Sequence, residues 1–130
     1  MAPTPNWTPD ELERLAAEDE IALASFRGDG SARPPVTMWM VTDEGDVYVR
    51  AVKGVDGPWY RHVRVTDRAH VTGAGVDTQV TVEDASQDLE LGRRLDAAYR
   101  AKYSRYAAGT VGSVVTPAAK GSTLRLVPQR

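Results

Sequence analysis

Hydrophobic and polar positions alternate most cleanly over residues 76–83, where Val76, Thr78, Val80 and Val82 interleave with Asp77, Gln79, Thr81 and Glu83. A period of two is that of a strand with one face buried and one in water. Upstream, Ile21 to Phe26 reads as a strand stopped by Gly28-Asp29-Gly30-Ser31. Val36 to Val41 is apolar on both faces, with Val36, Met38 and Met40 alternating with Trp39 and Val41. Both sides of such a strand need cover, one from the core and the other from a partner subunit, a helix or a flat ligand. Asp43-Glu44-Gly45-Asp46 is a hairpin loop leading into a third strand, Val47 to Val52. There Val47, Val49 and Ala51 form the apolar face, so Tyr48 and Arg50 point the other way. Ala69 to Thr72 and Ser122 to Val127 complete a set of six strands.

Helical periodicity is confined to three places. Thr8-Pro9-Asp10-Glu11 has the form of a capping box with proline at the first helical position. It predicts a helix over 9–18 that presents Leu12, Leu15 and Ala16 to the core. Pro58 opens a short helix to about Arg64, and a longer one runs from about Ser86 to Gly109 with Leu91, Leu95, Tyr99, Tyr103 and Tyr106 on one stripe. Six strands joined by short turns pair antiparallel and curl toward a small barrel. The expected organisation is a flexible leader over residues 1–6 and one domain over 7–130.

Composition narrows the function. The chain has 130 residues, no cysteine and a formal net charge of −2, with a pI near 5.7. Thiol chemistry and thiolate metal sites are excluded, and a reducing cytoplasm suits the chain. No apolar run reaches the length of a membrane span, and the start MAPTPNW lacks a secretory pattern. The acidic balance disfavours nucleic acid as a partner.

Against that background residues 48–64 stand out, carrying Arg50, Lys53, Arg61 and Arg64 against the single acid Asp56. Arg50 leaves a strand on its non-core face, Lys53 follows in the turn, and Arg61 and Arg64 lie one helical turn apart, so the four are expected to converge. Gly54 and Gly57 permit close backbone approach, and the helix N-terminus after Gly57 adds free N–H groups. Trp59 and Tyr60 add flat surfaces. The chemistry suits a phosphate joined to a planar ring, although clustered cations on a short helix also form solvated faces with loose ion pairs.

Arg33-Pro34, Trp39, Tyr48-Val49-Arg50, Gly54, Gly57, Trp59-Tyr60-Arg61, the run Asp96 to Tyr103 and Thr123-Leu124-Arg125-Leu126 resemble the FMN-binding split-barrel superfamily. Its members include pyridoxamine 5'-phosphate oxidase-like proteins and deazaflavin-dependent nitroreductases, and within it the likeness is to a group of small bacterial split-barrel proteins. The resemblance implies a mainly β fold, a six-stranded antiparallel split β-barrel with flanking helices, assembled as a homodimer with FMN or a deazaflavin in a groove between subunits. The outer face of the second strand would be the dimer seam. Trp59, Tyr60 and Arg61 match a cofactor-flanking Trp-Tyr pair and its basic neighbour, and Arg27, Gly30, Ser31 and Arg33 match a turn that helps hold the cofactor. Tyrosines on the corresponding helix line the substrate pocket in the nitroreductase relatives, which suggests that Tyr99 and Tyr103 border the acceptor. Their spacing alone fits core packing equally well.

His62 and His70 have no metal-ligand spacing. His62 reads as a proton donor beside a flavin or as a partly buried structural histidine. Gly73-Ala74-Gly75 leads into a strand, so it is no dinucleotide fingerprint. Two functions follow: a flavin- or deazaflavin-binding reductase passing hydride to a small hydrophobic acceptor, or a barrel that binds a ligand without redox chemistry.

Overall fold

The computed structural model describes residues 6–130, so all of the expected leader but Asn6 lies outside the described residues. Its elements are α1 (Pro9–Ala17), β1 (Glu20–Ser25), β2 (Val36–Trp39), β3 (Val41–Asp43), β4 (Asp46–Val49), α2 (Pro58–Thr66), β5 (Arg68–Gly73), β6 (Val76–Asp84), α3 (Leu89–Lys102), α4 (Ala108–Gly112), α5 (Pro117–Lys120) and β7 (Leu124–Pro128), with a 3-10 turn at Gly54–Asp56. None of these helices is long and apolar enough to cross a membrane.

The seven strands form one antiparallel sheet in the order β2-β1-β5-β6-β7-β4-β3. β2 and β3 lie at opposite ends of that order, yet only Met40 separates them in sequence. The strand expected over 36–41 therefore bends at Met40 and serves both edges, which draws the sheet into a nearly closed barrel and raises the strand count from six to seven. Barrel closure removes open edges. The bend leaves Met40 without a ladder partner, and side chains at the C-terminal end of α3, Lys102 and the capping Tyr103, replace it. The Met40 N–H donates to Tyr103 Oη at 3.1 Å, and the Met40 carbonyl accepts from Lys102 Nζ and from Tyr103 Oη, each at 2.9 Å.

Local signals explain the rest. Thr8 and Glu11 make the reciprocal capping box, and Glu44 and Gly45 both have positive φ, which gives the hairpin its tight two-residue turn. Along β6, Val76, Val80 and Val82 are buried. The Trp7 indole N–H donates to the Leu126 carbonyl at 2.9 Å and ties the chain before α1 to β7.

The described residues form two cores. The barrel interior holds Ile21, Leu23, Met38, Val47, Val49, Val71 and Leu126, closed by Leu15 of α1 and by Tyr60 and Val63 of α2. A second cluster, Val41, Tyr48, Leu91, Leu95, Tyr99, Tyr103, Val111 and Val114, lies between β3–β4 and α3–α4. The face of β4 opposite Val47 and Val49 is thus no solvent face but a second interior. The long helix expected to reach Gly109 ends at Lys102, and α4 and α5 follow it.

Candidate functional site

A cavity of about 590 Å³ opens beside β2. One wall is β2 itself, an edge strand paired only with β1, which contributes Val36, Met38 and Trp39. The opposite side is the chain leaving β4, Ala51 to Lys53, followed by Gly57, Pro58 and Trp59 at the start of α2. Thr110, Ser113 and Val114 close the end. A smaller recess of about 270 Å³ shares Val36, Pro58 and Trp59 with this cavity and adds Arg27, Arg33 and His62. A mainly apolar chamber and a basic recess thus lie side by side, sharing these three residues.

At the junction lies the N-terminus of α2, where Gly57 is the cap and no side chain satisfies the first-turn N–H groups. Those donors and the positive end of the helix dipole favour an anion. Arg33 Nε is buried without a hydrogen-bond partner, a donor whose satisfaction requires an added acceptor. Arg27 Nη1 already donates to the Ala32 carbonyl at 3.0 Å and to Ser31 Oγ at 3.3 Å. Lys53 makes no ion pair among the described residues and borders the larger chamber.

The predicted convergence of four cations does not form. Arg50 borders the chamber, but its side chain is fully buried and its donors are committed. Nη1 donates to Asp96 Oδ1 at 2.6 Å and to the Val114 carbonyl at 3.0 Å, Nη2 to the Gly92 carbonyl at 3.1 Å, and Nε to Thr123 Oγ1 at 3.0 Å. Asp96 in turn takes Lys120 Nζ at 2.8 Å on its other oxygen. Burial pushes the Asp96 carboxyl up, and the hydrogen bonds from Lys120 and Arg50 outweigh it, leaving the carboxyl below its ordinary range. Arg50 therefore stitches β4, α3, the end of α4 and the start of β7 into one wall of the chamber.

The other expected residues divide. Lys53, Gly57 and Trp59 border the chamber, and Arg33 and His62 line the recess. Gly54 has φ +71, and a Cβ there would lie 3.0 Å from the Ala118 carbonyl oxygen, so its close approach is to α5. Tyr60 is buried in the barrel core. Arg61 is exposed and lines neither pocket, while Arg64 pairs with Asp67 at 2.7 Å and with Asp84 at 3.9 Å. On a helix whose inward residues are Tyr60 and Val63, the cations at 61 and 64 are carried away from the groove.

Tyr99 and Tyr103 sit in the second core. Burial raises both hydroxyls well above the usual phenol range, and the Tyr99 hydroxyl has no partner. The Tyr103 ring lies parallel to Trp39, with centroids 3.9 Å apart and 3° between planes. Neither tyrosine reaches the groove directly.

Sequence reasoning left Asp96 and Trp39 outside the site. Asp96 carried a signal: it lies beside Leu95 and three residues before Tyr99, on the edge of the stripe that α3 buries. An acid on a buried stripe announces a buried cation. Thr110, Ser113 and Val114 carried none, since their walls depend on how α4 folds back.

Residues 11–126 match the model of a family described as "Uncharacterized protein conserved in bacteria (DUF2255)". No curated protein matches the chain. Among solved structures, a conserved hypothetical protein, Rv2991 from Mycobacterium tuberculosis, superposes with a TM-score of 0.67 at 15% identity, covering 100% of this chain and 86% of that one. HutZ, named as a heme storage protein from Vibrio cholerae, gives 0.66 at 12% identity over 96% and 92% of the two chains. A protein named F420 Reductase gives 0.54 at 17% identity over 91% and 92%. At these identities the likeness is one of fold, the split β-barrel.

Proposed function

We propose that this chain, which belongs to the DUF2255 family, binds FMN or a deazaflavin in the groove beside β2 and acts as a reductase for a small hydrophobic acceptor. One observation carries the reading: a mainly apolar chamber shares Val36, Pro58 and Trp59 with a neighbouring recess where Arg27, Arg33 and an uncapped helix N-terminus meet. A planar ring with an anionic tail has that division of chemistry. The buried, unpartnered Arg33 Nε fits an acceptor such as a phosphate oxygen. The structural likeness to a protein named F420 Reductase supports the same class of ligand.

When bound, a flavin or deazaflavin supplies hydride transfer. The chain's own residues bind and orient it. Arg27, Arg33 and the N–H groups of α2 hold the anionic end, Lys53 adds charge at the chamber, and Trp59 lies where the two pockets join. His62 lines the recess with Arg27 and Arg33, on the side of the anionic end. Tyr99 and Tyr103 act behind the wall, so Thr110, Ser113 and Val114 border the space left for an acceptor. A second reading, ligand binding without redox chemistry, is favoured by the sparse supply of free titratable groups in the chamber, where Glu20 and Lys53 accompany the committed Arg50.

Titrating the purified protein with FMN and with a deazaflavin, and following absorbance and fluorescence, tests the proposal. Saturable spectral change with dissociation constants on the order of micromolar is expected. Lack of a response to both ligands would remove the flavin reading. Binding without turnover of any hydrophobic acceptor would favour the non-redox one.

A further inference from the structure

The indole of Trp39 borders the chamber and is held from behind in an unusual way. Tyr103 covers one indole face in a parallel stack, with centroids 3.9 Å apart. The same tyrosine fixes the backbone that follows. Its hydroxyl receives the Met40 N–H at 3.1 Å and lies 2.9 Å from the Met40 carbonyl and 2.7 Å from that of Asp19. Lys102 Nζ braces the neighbouring turn from the Leu15 and Met40 carbonyls, each at 2.9 Å.

Tyr106 is the other ring near Trp39, with centroids 5.0 Å apart and planes tilted by 47°. Tyr106 and Tyr103 are 6.1 Å apart. These three separations make nearly a right angle at Trp39, so Tyr106 flanks the indole edge, and the face opposite Tyr103 has no aromatic cover among the described residues. A rigidly backed indole whose other face lacks an aromatic neighbour, on the wall of an apolar chamber, suits the stacking of a flat molecule with little ordering cost. The free charges around the chamber, Glu20 and Lys53, are of opposite sign, which favours a ring without net charge.

We propose that Trp39 is the stacking platform for a planar, uncharged conjugated ring in this chamber, and that Tyr103 is the residue that positions it. The inference deepens the ligand-binding reading above and rests on the chamber being a ligand site. It depends on neither a phosphate nor a redox reaction.

Lumichrome, a flat tricycle with no phosphate tail, separates the two ideas, with FMN as the second probe. Trp39→Leu is expected to weaken lumichrome binding about tenfold or more, within the range that stacking on an aromatic residue confers, and Trp39→Phe to restore most of it. Tyr103→Phe keeps the ring but removes the hydroxyl, and is expected to weaken binding a few-fold with the thermal midpoint followed in parallel. Because Trp39→Leu risks unfolding the barrel, the wild-type protein carries an independent test. The Trp39 indole N–H resonance, assigned through Trp7→Phe and Trp59→Phe, should shift saturably as lumichrome is added. A Trp39 resonance that stays still while other chamber resonances move would overturn the platform, as would unchanged lumichrome affinity in a folded Trp39→Leu protein. Loss of self-association in Trp39→Leu with ligand affinity unchanged would likewise overturn it, placing the indole in a subunit seam. Lumichrome binding on Trp39 without FMN binding would leave the platform standing and exclude FMN as the cofactor. Failure of wild type to bind either probe would contradict the platform and exclude FMN as the cofactor.

Discussion

Asp96 is what makes Arg50 tolerable in the interior. The guanidinium is fully buried and its charge is met by a carboxylate at 2.6 Å, itself shared with Lys120. Removing one partner of such a pair strands the other charge, at a cost of about 3–5 kcal/mol. Asp96→Ala is therefore expected to lower unfolding free energy by that amount in urea, whereas Arg50→Met combined with Asp96→Leu should recover most of it. Full additivity of the two single losses would contradict the pairing. Lys102 gives a second residue-scale prediction. Burial lowers its amine from the ordinary 10.5 to about 8, against the smaller opposing pull of Asp19 and Glu18. Between those values the unfolded chain holds the proton more tightly than the folded one, so this lysine makes stability rise as pH climbs from about 8 toward 10.5. The gain relative to Lys102→Met should be about 1–2 kcal/mol after allowance for solvent screening of a half-buried group. A pH-independent difference between the two proteins would refute it. Period-two alternation correctly turned Tyr48 and Arg50 away from Val47 and Val49. What it could not reveal was that α3 covers that other face, because the covering residues lie more than 40 positions downstream.

At the scale of elements, strongly local signals were readable and folded-back ones were not. The capping box at Thr8, the hairpin at Glu44-Gly45 and the alternation of β6 each depend on a few neighbouring residues. The two-sided apolar strand over 36–41 was recognised, but its division at Met40 depends on Tyr103 and Lys102 replacing the ladder. Similarly, the helix expected from about Ser86 starts at Leu89: Asp84 accepts from the Ser86 N–H in a local turn, and Asp88 caps α3. Gly54 looked like a point of ligand approach and is a point of packing. Its φ of +71 and the Ala118 carbonyl 3.0 Å from an added Cβ both oppose a side chain. Gly54→Ala should therefore cost about 1–3 kcal/mol in thermal or chemical unfolding. A neutral effect would mean that α5 yields easily and holds the chamber wall only loosely.

For the whole molecule, the groove depends on edges meeting: β2 from one end of the sheet, the exit of β4, the start of α2 and the turn after α4. The residues flanking it were partly legible as a basic stretch with glycines and aromatics, but Arg50 is committed to Asp96, Arg61 and Arg64 are carried away by helix phase, and Arg27 and Arg33 arrive from a loop before β2. Exposed Val36 and Val52 border the chamber, and the resemblance to split-barrel proteins leads us to propose a homodimer. Sedimentation should then give twice the 14.1 kDa chain mass, reduced to one by Val36→Asp with Val52→Asp; a wild-type monomer at all concentrations would exclude it.

The central claim is that the recess of Arg27 and Arg33 holds an anionic group whose ring lies in the adjoining chamber. Comparing FMN with riboflavin by calorimetry isolates that group. One charge-assisted hydrogen bond, worth about 1.5–3 kcal/mol, predicts FMN binding at least about tenfold tighter than riboflavin. Most of the advantage should be lost in Arg27→Ala with Arg33→Ala while riboflavin affinity stays unchanged. Equal affinity for the two ligands in the wild-type protein, or an FMN preference undiminished by the double substitution, would contradict the account.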